Sequence, residues 1–197
     1  MLEVHQKKET AMSFGSLWLP VLVSAVAVWL ASSILHMALK YHKADYKKLP
    51  DEDAVAAALG KDSPAPGVYV LPYCPDPSRM KEPAIAERFQ KGPVALLTVL
   101  RNGPPALGKH LVQWFLFCFL VSFVTGYVAR HTLLPGADLL TVLRITGTAA
   151  FLGYGFGSFQ DSIWKGIPWS NSLRGLADAV VYALVTGLVF RLLWPGA

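Results

Sequence analysis

The sequence predicts an all-α membrane protein of four transmembrane helices, with a small α+β insertion between the first and second. Three observations carry this reading. Four apolar runs, Phe14–Leu39, Leu111–Ala129, Leu139–Phe159 and Leu173–Trp194, each approach the roughly 20 residues that a bilayer crossing needs. Hydrophobic residues make up 53% of the 197-residue chain and charged residues only 16%, against about a quarter charged in soluble domains. Positive charge is also lopsided. Residues 40–110, the 161–172 link and Arg174 hold thirteen of the eighteen Lys and Arg side chains, and Lys7, Lys8, Arg130, Arg144 and Arg191 are the other five. Too little polar sequence remains to cover four such runs in water, which excludes a soluble bundle.

The expected layout begins with a polar segment over 1–13. Transmembrane helices follow over 14–39, 111–131, 139–160 and 173–194. An insertion occupies 40–110 and an interfacial link 161–172. The first run continues past Ala31-Ser32-Ser33 to Leu39, longer than a signal-peptide core, so a retained anchor is expected. Lys40, Lys43, Lys47 and Lys48, interleaved with Tyr41 and Tyr46, suit contact with anionic membrane lipids. Trp164 and Trp169 suit the membrane interface. Charge asymmetry predicts that residues 41–110 and the final link are cytoplasmic, with both termini outside.

Within the insertion, Pro50 reads as the first residue of a helix that Gly60 stops. Val68–Leu71 and Val94–Leu100 read as short strands, and Pro83–Gln90 as a further helix. Two short strands make no independently stable sheet. The insertion is therefore expected to lean on the membrane helices, on a partner or on a second copy.

The third span carries Gly147, Gly153 and Gly157. The last two form a G-x-x-x-G pair that permits close helix approach, within one chain or between copies. The fourth span carries Asp178, and an ionisable group in an apolar span is a functional-site hypothesis by default. Arg174 and Tyr182 lie four residues to either side, on the same face. Gln160 and Asp161 come from the end of the third span. These five residues form the expected polar cluster, with Ser170 or Asn171 capping the last helix. A clamp on the hairpin is the favoured role, and a polar entry to a channel or transporter is the alternative.

His36 and His42, with Asp45, invite a metal reading. Six residues apart, however, the two histidines fall on roughly opposite faces of a continuous helix, so they are weak metal candidates. No metalloprotease, nucleophile-elbow or c-type haem motif is present, nor a phosphate-binding loop. No catalytic residue and no cofactor is predicted, and haem or a metal remains the open alternative through His36 and His110. The net charge of +5 flanks the spans, so topology explains it and no nucleic-acid partner is expected. Cys74 and Cys118 lie far apart in sequence, without a Cys-x-x-Cys pattern.

Leu35-His36-Met37, Tyr41 through Glu52, Gly108-Lys109, Gln113-Trp114-Phe115, Asp161 through Trp164 and Pro168 through Asn171 together resemble a group of small bacterial inner-membrane proteins of unknown function. The resemblance implies a bacterial source, the inner membrane and a four-helix form, and it supplies no activity. The function expected from the sequence is a non-catalytic membrane subunit that binds lipids and another membrane protein or itself. A haem-, metal- or lipid-binding enzyme component is a further alternative.

Overall fold

The computed structural model describes residues 13–196, so the polar segment expected over 1–13 lies, but for Ser13, outside the described residues. The chain divides into two units, residues 1–46 with 106–197, and residues 47–105.

The first unit is the membrane bundle. Among the described residues four helical stretches are long and apolar enough to cross a bilayer: Gly15–Ala38, Leu107–Thr132, Leu139–Lys165 and Trp169–Leu192. A 3-10 turn over Phe14–Leu17 leads into α1, Trp18–Ser33. Pro20 sits in its first turn, where a missing N–H costs no helical bond. A π-helical turn, Ile34–Ala38, extends α1, and the helix then breaks at Leu39, whose backbone is extended. A 3-10 turn, Tyr41–Asp45, follows.

The second unit contains α2 (Glu52–Asp62), β1 (Gly67–Leu71), α3 (Pro83–Lys91) and β2 (Ala95–Val99). The strands pair antiparallel, with Gly67 opposite Val99 and Leu71 opposite Ala95. Two boundaries differ from the sequence reading. Helix α2 begins at Glu52 rather than at Pro50, and Asp51 caps it by accepting a hydrogen bond from the Ala54 N–H. The helix also runs through Gly60 and stops at Ser63, in the left-handed region at φ 43°. Only Pro72 in this unit is buried.

Back in the bundle, α4 spans Leu107–Thr132 and α5 Leu139–Gly155. Asp138 caps α5 by accepting from the Thr141 N–H at 2.9 Å. After Phe156 the span continues as α6, Gly157–Lys165, which ends on Gly166 at φ 68°. Glycine tolerates that conformation without a Cβ penalty. The last helix, α7, runs Trp169–Leu192. The link expected over 161–172 is thus mostly helix, and only Gly166-Ile167-Pro168 connect α6 to α7. Neither Ser170 nor Asn171 caps α7, because Pro168 stands at the cap position.

Helix α1 packs on α4 and α7, and α5 packs on α4 and most extensively on α7. Close packing at the α5–α7 interface depends on glycine. A Cβ on Gly187 would lie 2.8 Å from Leu143 Cδ1 and 3.3 Å from the Gly147 Cα, and at the neighbouring α4–α5 interface one on Gly153 would lie 2.9 Å from Val121. Gly147 and Gly153 therefore serve approach within the chain. Gly157, the other half of the expected G-x-x-x-G pair, has nothing within 4 Å of its Cβ position.

Indole N–H groups tie the helix ends. Trp29 donates to the Leu111 carbonyl at 3.1 Å and Trp114 to Ser32 Oγ at 2.7 Å, joining α1 to α4. Trp194 donates to the Leu134 carbonyl at 3.1 Å at the far end. In apolar surroundings these bonds remove donors that would otherwise be costly to bury.

Gly187→Ala should wedge α5 from α7 and destabilise the bundle by about 1–3 kcal/mol, the usual range for overpacking. Gly157→Ala should be neutral, or stabilising by up to about 1 kcal/mol. Denaturation in detergent measures both, and equal effects would contradict the interface described.

Candidate metal centre

Asp178 is the group around which the candidate centre forms. It lies on the first half of α7, 4% exposed. A carboxylate so placed needs compensation by charge or by hydrogen bonds. The compensation comes from the segment that follows α1. Tyr41 donates its hydroxyl to Asp178 Oδ1. His42 Nε2 lies 2.8 Å from Asp178 Oδ2, and His36 Nε2 lies 4.0 Å from the same oxygen. The two imidazole rings are 4.4 Å apart, centre to centre.

The break after Ala38 explains this meeting. On an unbroken helix His36 and His42 would diverge. The π turn carries His36, the extended residue Leu39 interrupts the helix, and the 3-10 turn brings His42 back toward His36. The helix is not continuous between His36 and His42, so the two imidazoles come together rather than onto opposite faces. One ligand atom from each of His36, His42 and Asp178 lies within 4.8 Å of the others.

A second layer orients His42. Its Nδ1 lies 2.6 Å from Asp45 Oδ2, and the Arg174 guanidinium donates through Nε to Asp45 Oδ1 at 2.6 Å. Arg174 also donates to Asn171 Oδ1 at 3.0 Å, and Asn171 Nδ2 donates to the Asp45 carbonyl at 3.1 Å. Burial works against ionisation of Asp45, but the bonds to His42 and from Arg174 prevail and hold its carboxyl below the usual carboxylate value. Burial first, then the bond to Asp178, push the Tyr41 phenol up to about 12.

Both nitrogens of His42 thus face carboxylate oxygens. Ionised carboxylates only accept hydrogen bonds, so a proton or a metal ion has to lie between Nε2 and Asp178. In the neutral tautomer whose Nδ1–H donates to Asp45, the Nε2 lone pair faces the space shared with His36 and Asp178. A carboxylate that fixes one imidazole nitrogen so that the other can ligate is the common outer-shell arrangement of metal-binding histidines.

The polar cluster expected from sequence assembles only in part. Arg174 bonds to Asp45 rather than to Asp178, because the 3-10 turn after α1 delivers a carboxylate to it. Asp161 pairs with Lys165 on α6 at 2.6 Å, with the two side chains 46% and 58% exposed, so it does not join the centre. Gln160 is exposed on α6. Tyr182 lies buried one turn beyond Asp178. Lys40, Lys43, Lys47 and Lys48 are exposed, as are Trp164 and Trp169. Tyr41 and Asn171 were not legible as site residues, since each contributes through contacts between segments more than 100 residues apart.

Comparison with protein families, curated proteins and solved structures finds no match.

A double-mutant cycle should couple Arg174 to Asp45 by about 1–3 kcal/mol, as expected of directly bonded groups. Arg174 and Asp161 should couple by less than about 0.5 kcal/mol. Thermal unfolding of the detergent-solubilised single and double variants is the measurement, and strong coupling to Asp161 would contradict the arrangement.

Proposed function

We propose that this multi-pass membrane protein binds a divalent first-row transition metal ion through His36, His42 and Asp178. The observation that carries the reading is the convergence of three ligand atoms from three separate elements, with Asp45 and Arg174 orienting one of them. Two imidazoles and a carboxylate are a donor set suited to zinc, iron, nickel or copper. On this reading the π turn and the helix break after α1 are the means by which a transmembrane helix presents its end to α7. The inner membrane of a bacterium belongs to the same proposal and rests on the resemblance noted from the sequence, and the cytoplasmic placement of residues 41–110 rests on the charge asymmetry.

Purified full-length protein should bind about one Co(II) or Zn(II) per chain in a calorimetric titration. His42→Ala should weaken binding by at least 100-fold. Asp45→Asn should weaken it by about 10- to 100-fold, as loss of an outer-shell partner does. Absence of saturable binding by the unaltered chain would reject the site.

A second reading concerns residues 47–105, which bury one side chain, Pro72. Val68, Val70, Leu96 and Leu100 are 41–75% exposed on and beside the two-stranded sheet. A unit with so little core is suited to docking on another membrane protein or on a second copy. A photo-crosslinking residue at Val70 tests this in native membranes. A specific adduct identifies the partner by its mass, and absence of any adduct would contradict the reading.

A further inference from the structure

Tyr182 stands four residues beyond Asp178 on α7 and is 4% exposed. Its hydroxyl is one of three buried side-chain oxygens among the described residues that have no hydrogen-bond partner, with Thr125 Oγ1 and Thr186 Oγ1. The ring is held by aromatic neighbours, 5.4 Å from Tyr154 and 6.1 Å from Trp114 between centroids. A phenylalanine would make those contacts equally well. Burying a phenol without a partner is unfavourable by roughly 1–3 kcal/mol, so the aromatic nest alone does not account for the hydroxyl.

Direction supplies the missing half. Long side chains on a helix lean toward its N-terminus, over the residues three and four positions earlier. For Tyr182 that is the face of Asp178, one helical turn earlier on α7. The polar atoms of Asp178 are already engaged, Oδ1 by Tyr41 and Oδ2 by His42. Three protein ligands, moreover, leave a four-coordinate ion one position short, as in sites that keep water or a small ligand on the metal.

We propose that the metal position is open and that the Tyr182 hydroxyl donates a hydrogen bond to a small oxygen or nitrogen ligand on the ion. Water, hydroxide and small inorganic anions are the ligand class. The inference rests on the metal reading above. Tyr182 is a positioning residue in this account and does not ligate the ion.

The test uses full-length protein loaded with Co(II), whose visible absorption reports coordination, and azide as the probe anion. Azide should shift the Co(II) spectrum of the unaltered protein with a saturable affinity. Tyr182→Phe should weaken azide binding by about fivefold or more while Co(II) affinity stays within twofold. Thr186→Val, which removes another unpartnered hydroxyl one turn deeper, should leave both affinities unchanged. A spectrum that azide does not alter overturns the open position. Equal azide affinity in Tyr182→Phe and the unaltered protein overturns the role of Tyr182. So does loss of Co(II) binding in Tyr182→Phe, or an equal weakening by Thr186→Val, since each marks a packing effect. Failure of the unaltered chain to bind Co(II) is a separate result that removes the metal reading itself.

Discussion

Burial of Asp178 is the constraint on which the rest of the bundle depends. A carboxylate in an apolar helix is unfavourable unless bonded, and α7 offers nothing at hand to bond it, because Arg174 turns to Asp45. The chain answers with Tyr41 and His42 from the far side of a break in the first span. That requirement gives the end of α1 its form: a π turn, one extended residue and a 3-10 turn. A straight helix through Lys40 would satisfy its own backbone better and leave Asp178 without either partner.

The layers of the centre depend on one another. Arg174 neutralises Asp45, Asp45 fixes His42, and His42 faces Asp178. Every member of this chain of bonds is half-buried or buried, where bonds to charged groups are stronger than in water and an unpaired member is correspondingly unfavourable. Glycine contributes from a distance. The close approach of Gly187 to Leu143 and Gly147 holds α5 against α7, and α7 is the helix that carries Arg174, Asp178 and Tyr182.

Composition and periodicity made the membrane architecture legible. The four apolar runs match the four helices because a bilayer imposes length and polarity on any segment that crosses it. The insertion was legible for a similar local reason, since short apolar runs rich in β-branched residues and flanked by Pro and Gly mark strands. The centre was harder to read. Asp178, Arg174 and Tyr182 stood out as polar groups in an apolar span, but their partners depend on where the first span breaks. Leu39 and Lys40 contain neither proline nor glycine to announce that break. Reading the helix as continuous separated His36 from His42 and left Asp178, with Asp161, in place of Asp45 as the expected partner of Arg174.

X-ray absorption at the zinc edge of the loaded full-length protein addresses the central claim most directly, because it identifies the ligating atoms without reference to activity. The account predicts a first shell of nitrogen and oxygen near 2.0 Å, with the outer-shell scattering of two imidazoles that falls to one in His36→Ala. A shell of oxygen alone, a sulfur shell near 2.3 Å, or an imidazole count unchanged by His36→Ala would contradict it.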